Sequence, residues 1–302
     1  MKDYSNILII KMSSLGDVIH ALPTLYALRQ NLPHAKITWA IHEQFASLLP
    51  GTPWVDEVII IDKKQLKSPS YLWNLRKELH SRHFDMTLDL QCIAKSAIVS
   101  LLSGSPEKYG YWELREGSQL VNKALVGAHK YDHVIERYLD TVRALGGEVD
   151  GVEFPMPHDH AAEGKIRNRL SELGVTDDYI VVVPGARWIV KEWPLLNFGE
   201  LCIRLCESGK KVVIAGSPDD SEKGQFIENY VKSDNLINLV GQTTMAELIE
   251  LIRHCHIFIS ADTGPLHIAN ALKKPLIALF GTTSPNRTGP YGGSHVHLII
   301  SP

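Results

Sequence analysis

Short apolar runs alternate with longer segments of mixed polarity along the whole chain. In the first half, Asn6–Lys11, Lys36–Ile41, Glu57–Asp62 and Met86–Gln91 are apolar or β-branched runs that predict strands. Val18–Leu32, Tyr71–Ser81, Ala94–Leu102 and Tyr131–Leu145 predict helices, with a kink expected at Pro23. The second half repeats the pattern. Strands are expected at Tyr179–Val183, Lys211–Ala215, Leu236–Val240, His256–Ser260 and Pro275–Phe280, with a strand-like His297–Ile300 after them. Helices are expected at Ala161–Leu173, Leu195–Ser208, Ser221–Val231, Met245–His254 and Ile268–Lys274. Such alternation predicts an α/β protein with parallel, doubly wound sheets and right-handed crossovers. Gly146–Gly151, followed by Pro155 and Pro157, reads as a linker between domains at 1–150 and 151–302.

Open α/β sheets bind ligands beyond the carboxyl ends of their strands, so those loops are searched first. Ser260-Ala261-Asp262-Thr263-Gly264-Pro265-Leu266-His267 leads from a strand into a helix. Its small-residue turn points backbone N–H groups outward at the positive end of a helix dipole, a seat for a phosphate or pyrophosphate. Asp262 could instead merely cap the helix, but a cap alone does not require the Thr-Gly-Pro-Leu-His behind it. Asp-Thr-Gly also marks aspartic proteases, but those need two such carboxylates, and here one stands before a helix. Lys11-Met12-Ser13-Ser14-Leu15-Gly16-Asp17 is a second strand-to-helix junction. There Asp17 is either a cap or a cleft-facing carboxylate able to take a proton. One junction per half predicts two nucleotide-fold domains facing a cleft. The loop Pro184–Pro194 carries Arg187, Trp188, Lys191 and Trp193. Lys191 as a point charge and Arg187 as a fork could reach phosphate oxygens, or both could be solvated surface cations. Neither junction matches G-x-G-x-x-G or the P-loop, which argues against a nicotinamide enzyme or a triphosphatase. His158-Asp159-His160 looks metal-like, but it lies in the linker, and no third ligand is expected nearby. No Asp-x-Asp pair stands ready to clamp Mg²⁺ on a pyrophosphate, and no metal is expected.

Composition narrows the class. The 302 residues are 44% hydrophobic and 22% charged, with a net charge of −3. Lys+Arg and Asp+Glu number 17 and 17 in residues 1–150, against 14 and 17 afterwards. Neither half has the basic excess of a nucleic-acid binder, so no nucleic-acid partner is expected. Cys92, Cys202, Cys206 and Cys255 form no CxxC pair and read as buried free thiols, which fits the cytosol. Met1-Lys2-Asp3-Tyr4 runs directly into a strand without a signal-peptide core, and no apolar run approaches the length of a membrane span. A cytoplasmic protein with at most peripheral membrane contact is expected. The segment Tyr71–Lys77 could rest on an anionic leaflet, against its reading as an ordinary packed helix.

Five motifs in order carry a family resemblance. They are Lys11–Pro23; Pro184-Gly185-Ala186-Arg187-Trp188 with Lys191 and Trp193-Pro194; Ala261–His267; Phe280-Gly281-Thr282-Thr283; and Gly289-Pro290-Tyr291-Gly292. In these the chain resembles the family 9 glycosyltransferases, the ADP-heptose:lipopolysaccharide heptosyltransferases. The opening motif and Arg187-Trp188 look most like members that act on the first Kdo, an eight-carbon acidic sugar of the inner core. The resemblance implies a GT-B architecture, with the acceptor in the first Rossmann-like domain and the donor in the second. It implies inversion at the anomeric carbon, ADP-heptose as co-substrate, and no metal or other cofactor. By the same resemblance Asp17 is the catalytic base and Lys191 the phosphate-binding lysine. Asp262 contacts the donor sugar, and Thr263, Gly264 and His267 form the pyrophosphate-side turn. Arg187 and Trp188 join the donor site, while Ser13, Ser14 and Gly16 line the acceptor site. Family members usually continue for tens of residues beyond the point reached by Pro302, into a helix that packs back across the domains.

The chemistry expected of these residues is coherent. The sugar turns positive in the transition state while the pyrophosphate leaves as an anion, which Lys191, Arg187 and the N–H groups near Thr263–Gly264 can stabilise. Asp17 would deprotonate the attacking hydroxyl from the opposite face. An acidic Kdo–lipid A acceptor at the inner-membrane surface needs cations in the first domain, for which Lys64 and Arg115 are candidates against solvated surface. Two rivals stay open: a transferase or epimerase for another nucleotide sugar, and a nucleotide-sugar-binding protein without turnover.

Overall fold

The computed structural model describes residues 1–176 and 178–301. The chain divides into two units, Met1–Pro157 and His158–Pro302, seven residues beyond the boundary expected at 150/151.

In the first unit the strands are β1 (Asn6–Ile10), β2 (Lys36–Ile41), β3 (Glu57–Ile60), β4 (Met86–Asp89), β5 (Glu107–Tyr111) and β6 (Lys123–Leu125). Helices α1 (Leu15–Asn31), α2 (Pro69–His80), α3 (Ala94–Leu102) and α4 (Val134–Ala144) connect or flank them. Every pairing is parallel, in the order β3-β2-β1-β4-β5-β6. Ile9 stands opposite both Trp39 and Leu88, and Ile7–Ile10 are fully buried because β1 has helices on both faces. Leu8, Ile10, Ile59, Leu75, Leu79 and Val99 belong to one core cluster.

The second unit repeats this plan. Its strands are β7 (Tyr179–Val183), β8 (Lys211–Ile214), β9 (Leu236–Asn238), β10 (Ile257–Ala261), β11 (Leu276–Phe280) and β12 (Val296–Ile300). Its helices are α5 (His160–Glu172), α6 (Leu195–Glu207), α7 (Ser221–Val231), α8 (Met245–His254), α9 (Gly264–Ala271) and the single turn α10 (Pro285–Thr288). The order is β12-β11-β10-β7-β8-β9, again all parallel. Each unit therefore has the Rossmann strand order, which reverses direction beside its first strand, between β1 and β4 and between β7 and β10.

Three differences from the sequence reading have physical causes. β5 and β6 were not expected: Glu107-Lys108-Tyr109-Gly110-Tyr111 is largely polar and half-buried, and it becomes a strand because β4 offers its free edge. The first helix begins at Leu15 rather than Val18 and runs on through Pro23, whose ring is buried. The helix after β10 begins at Gly264 rather than Ile268. Pro265 sits in its first turn, where a missing N–H leaves no hydrogen bond unmade. Cys92, Cys202, Cys206 and Cys255 are free and buried, as expected.

Candidate active site

In the second unit, the adjacent strands β7, β10 and β11 deliver three loops to one place. Lys191, after β7, donates from Nζ to Asp262 Oδ2 at 2.6 Å. Thr283, after β11, donates from Oγ1 to the same oxygen at 2.8 Å. Thr282 Oγ1 donates to Val190 O at 2.9 Å, pinning the β7 loop to the β11 loop. Asp262 is 7% exposed, while a quarter of the Lys191 side chain remains open to solvent. Thr263 is the N-cap of α9, Gly264 its first residue, and His267 is buried one turn in. Asp262 thus precedes the cap rather than serving as it, and its carboxylate is spent on Lys191 and Thr283. The arrangement puts a cation, two hydroxyls and a helix N-terminus at the switch point, the equipment of an anion site.

The β7 loop is braced from behind. Glu192 Oε1 accepts from Ala186 N at 3.3 Å and is ion-paired with Lys223 of α7. Lys223 Nζ also donates to Asp220 Oδ1 at 3.0 Å. Burial opposes its charge, but the Glu192 and Asp220 carboxylates outweigh burial and raise its pKa. A Cβ on Gly185 would lie 2.1 Å from Asp220 Oδ1, so only glycine fits there. Arg187 and Trp188 stand outside this knot. Arg187 is exposed, its guanidinium 5.8 Å from the Trp188 ring centre, and Trp188 is 60% exposed.

In the first unit the corresponding place lies beyond β1 and β4. Ser14 caps α1, and Asp17 three residues on accepts from Ser14 N at 3.0 Å and Ser14 Oγ at 2.7 Å through Oδ2. That is the carboxylate half of a capping box. Asp17, Ser13 and Gly16 are half-buried. Gln91, just beyond β4, accepts from Met12 N and Ser13 N, each at 3.1 Å, and fixes the path of the loop. Lys11 is buried, and its Nζ donates to Leu90 O at 2.9 Å and to Tyr138 Oη of α4 at 2.8 Å. Burial, and then the nearby negative charge of Asp17, push the Tyr138 hydroxyl well above its ordinary range. Asp89, at the end of β4, is fully buried and pushed up to about 6 by burial, against hydrogen bonds from Cys92 N, Ser96 Oγ and Gln91 N. Sequence reading did not single out Gln91 or Tyr138 and gave Thr283 only as part of a motif, although Gln91 follows a strand's carboxyl end, where it could have been sought.

The two acceptor cations part company. Arg115, beyond β5, donates its N–H to Cys92 O at 3.0 Å, and its charge acts on Tyr138 and Cys92. Lys64, beyond the edge strand β3, is exposed and its N–H donates to Asp62 Oδ1 at 2.8 Å; no described contact joins it to the Asp17 group. Helix α2 packs Leu75 and Leu79 inward and leaves Trp73 59% exposed, with Lys77 Nζ 5.4 Å from its ring centre. Among the described residues no helix is long and apolar enough to cross a membrane. Glu163, three residues after His160 in the first turn of α5, stands beside His158 and His160, so a third donor is near them, contrary to the sequence reading.

Two Rossmann-ordered units, each with charged side chains gathered at its switch point, define an α/β protein of the GT-B class. The chain belongs to glycosyltransferase family 9 (heptosyltransferase), whose family model matches residues 72–301. It is 28% identical over 305 residues to lipopolysaccharide heptosyltransferase 1 of Pseudomonas aeruginosa, covering 97% of this chain and 83% of that protein. It is 29% identical over 283 residues to lipopolysaccharide heptosyltransferase 3 of Escherichia coli, covering 89% and 80%. Among solved structures, E. coli ADP-heptose LPS heptosyltransferase II superposes with a TM-score of 0.82 at 26% identity over 97% of this chain and 90% of that one. E. coli heptosyltransferase WaaC with ADP-2-deoxy-2-fluoro heptose superposes with a TM-score of 0.79 at 25% identity, covering 98% and 93%. The protein is a glycosyltransferase.

Proposed function

We propose that this transferase moves heptose from ADP-heptose to the Kdo region of the lipopolysaccharide inner core, with inversion and without a metal ion. The observation that carries the reading is the Lys191–Asp262–Thr283 knot at the N-terminus of α9. The names of the relatives and the ADP-heptose analogue bound to a similar structure support the donor assignment.

The second unit holds the donor. Lys191 and the N–H groups at the start of α9 face the pyrophosphate, with Arg187 brought to it from its exposed loop. As the glycosidic bond breaks, the electron pair stays on the departing phosphate oxygen, and these groups stabilise the charge that develops there. They take the place a metal holds in other nucleotide-sugar chemistry. Asp262, already tied to Lys191, is placed to accept a hydrogen bond from a sugar hydroxyl, with Thr263, Gly264 and His267 shaping the turn beside it. The first unit holds the acceptor against Ser13, Ser14 and Gly16, and Arg115 answers its acidic group. Asp17 takes the proton of the attacking hydroxyl, so attack from the face opposite ADP inverts the anomeric centre. The protein works at the cytoplasmic face of the inner membrane, where that acceptor lies.

Incubation with ADP-heptose and Kdo-bearing lipid A, followed by mass spectrometry, is expected to show an increment of one heptose with ADP released. A panel of other nucleotide sugars should give none, and transfer from another member of the panel but not from ADP-heptose overturns the donor assignment. ADP should stabilise the protein equally with and without EDTA. Stabilisation that vanishes with EDTA removes the metal-free part.

A further inference from the structure

The start of the second unit carries a cluster that the transferase site does not use. His158 Nε2 lies 2.9 Å from Glu163 Oε2, and His160 Nδ1 lies 3.4 Å from the same oxygen. These three ligand atoms all fall within 4.8 Å of one another, and the two imidazole centres are 4.2 Å apart. Glu163 turns its other oxygen, Oε1, to His254 Nε2 at 3.0 Å and to Arg167 Nε at 3.4 Å. His254 Nδ1 in turn meets Arg167 Nη2 at 3.5 Å. The buried Glu250 approaches His158 Nε2 at 3.7 Å, but its charge is answered by Arg253 Nε at 2.8 Å and its Oε1 accepts from Asp159 N at 3.2 Å.

We propose that His158, His160 and Glu163 form a binding site for a zinc-class divalent ion. Two imidazoles and one carboxylate are the donors such an ion selects, and bond lengths of about 2.0–2.1 Å in a tetrahedron put neighbouring ligand atoms about 3.4 Å apart. The observed 2.9 and 3.4 Å bracket that spacing. Two ring nitrogens converge on a single carboxylate oxygen, and an ion at their centre lets all three present lone pairs. The carboxylate is divided as metal-bound carboxylates are, with one oxygen inward and the other facing His254 at 3.0 Å and Arg167 at 3.4 Å. His160 is 83% exposed and His158 42%, which leaves a path for the ion and room for water as the fourth ligand. Mg²⁺ and Ca²⁺ prefer all-oxygen shells and are poor occupants of this one.

The site would act as a staple. His158 lies before α5, while His160 and Glu163 lie in its first turn, so one ion ties the entering chain to the helix. Through Glu163 and His254 it also couples α5 to the end of α8. The cluster shares no residue with the proposed donor and acceptor groups, so its effect falls on stability rather than on transfer.

The test uses full-length protein without a polyhistidine tag, stripped with EDTA and dialysed. Calorimetric titration with zinc chloride near pH 7.5 is expected to show one ion per chain, and Co²⁺ is expected to give visible absorption from a tetrahedral or five-coordinate site. The His158→Ala/His160→Ala double variant should bind at least tenfold more weakly. Glu163→Gln should also lose affinity, while His256→Ala, an exposed histidine elsewhere, should not change it. Zinc should raise the melting temperature of the wild type and leave that of the double variant unmoved. Acidification should weaken binding, because protons compete for the imidazoles. Heptose transfer by the double variant should match the wild type. If the double variant folds poorly, the single His160→Ala variant at the exposed position gives the same comparison. No uptake by the wild type at millimolar zinc, or equal affinity in wild type and ligand variants, overturns the proposal.

Discussion

Asp17 holds the N-terminus of α1 through Ser14 and, in the proposed mechanism, takes the acceptor proton. Asn keeps one acceptor oxygen for Ser14, so Asp17→Asn should cost no more than about 1 kcal/mol of stability. It cannot take a proton, so turnover should fall by roughly 10²–10⁴-fold with ADP affinity unchanged. Lys191→Ala should instead weaken ADP binding and turnover together, because the pyrophosphate charge is present before and after bond breaking. Isothermal titration with ADP beside steady-state kinetics separates the two; parallel loss in Asp17→Asn would make that residue structural. Asp89 supplies a pH signature. Its carboxyl is raised from 3.8 to about 6 by burial, so the folded state binds its proton more tightly than the unfolded chain does. The sign follows: Asp89 favours folding most below pH 4, and this advantage drains away as pH rises to about 6. Denaturant unfolding of wild type and Asp89→Asn from pH 4 to 8 should show their stability difference shifting against the wild type by about 3 kcal/mol. A difference that stays flat across that range refutes the shift.

The β7 loop shows how an element is aimed rather than merely formed. Ile189–Lys191 is one 3₁₀ turn without buried residues, so its own packing cannot hold Lys191 in place. The hold comes from Thr282 in front and from Glu192, Lys223 and Asp220 behind. Lys223→Met removes the rear brace while leaving every proposed donor contact intact. ADP binding should weaken by up to about tenfold, the worth of one charged hydrogen bond, with α7 still folded by circular dichroism. Unchanged affinity would mean that the front contact alone suffices. The loop's location was legible, because Pro184–Pro194 follows an unmistakable apolar run. Its bracing was not, because Glu192 and Lys223 are separated by 31 residues and pair only once β7 and β8 lie side by side.

Each unit has its own core cluster, Leu8 with Leu79 in one and Val182 with Phe198 in the other. Two cores of this kind predict two thermal transitions rather than one. Differential scanning calorimetry should resolve them, and ADP should raise only the one belonging to the second unit. A single transition, or an equal rise of both, would show that the units do not unfold separately or that ADP does not bind the second alone.

The alternation of apolar runs and amphipathic segments by itself determined the α/β class, most strands and helices, the burial of the four thiols and the loops worth searching. Those features depend on which residues prefer core to water within a few positions of one another, and that preference is written locally. The tertiary structure alone decided which charged groups meet. Lys191 reaches Asp262 across 71 residues, and Lys11 reaches Tyr138 across 127. Arg115 reaches Cys92 while Lys64 is left at the sheet edge, and His254 comes to Glu163 from the end of α8. Strand order sets these meetings, and strand order is chosen by the packing of the whole unit. A carboxylate's local partners, such as Ser14 for Asp17, can be read from its place along the chain, but its distant ones, such as Lys191 for Asp262, cannot.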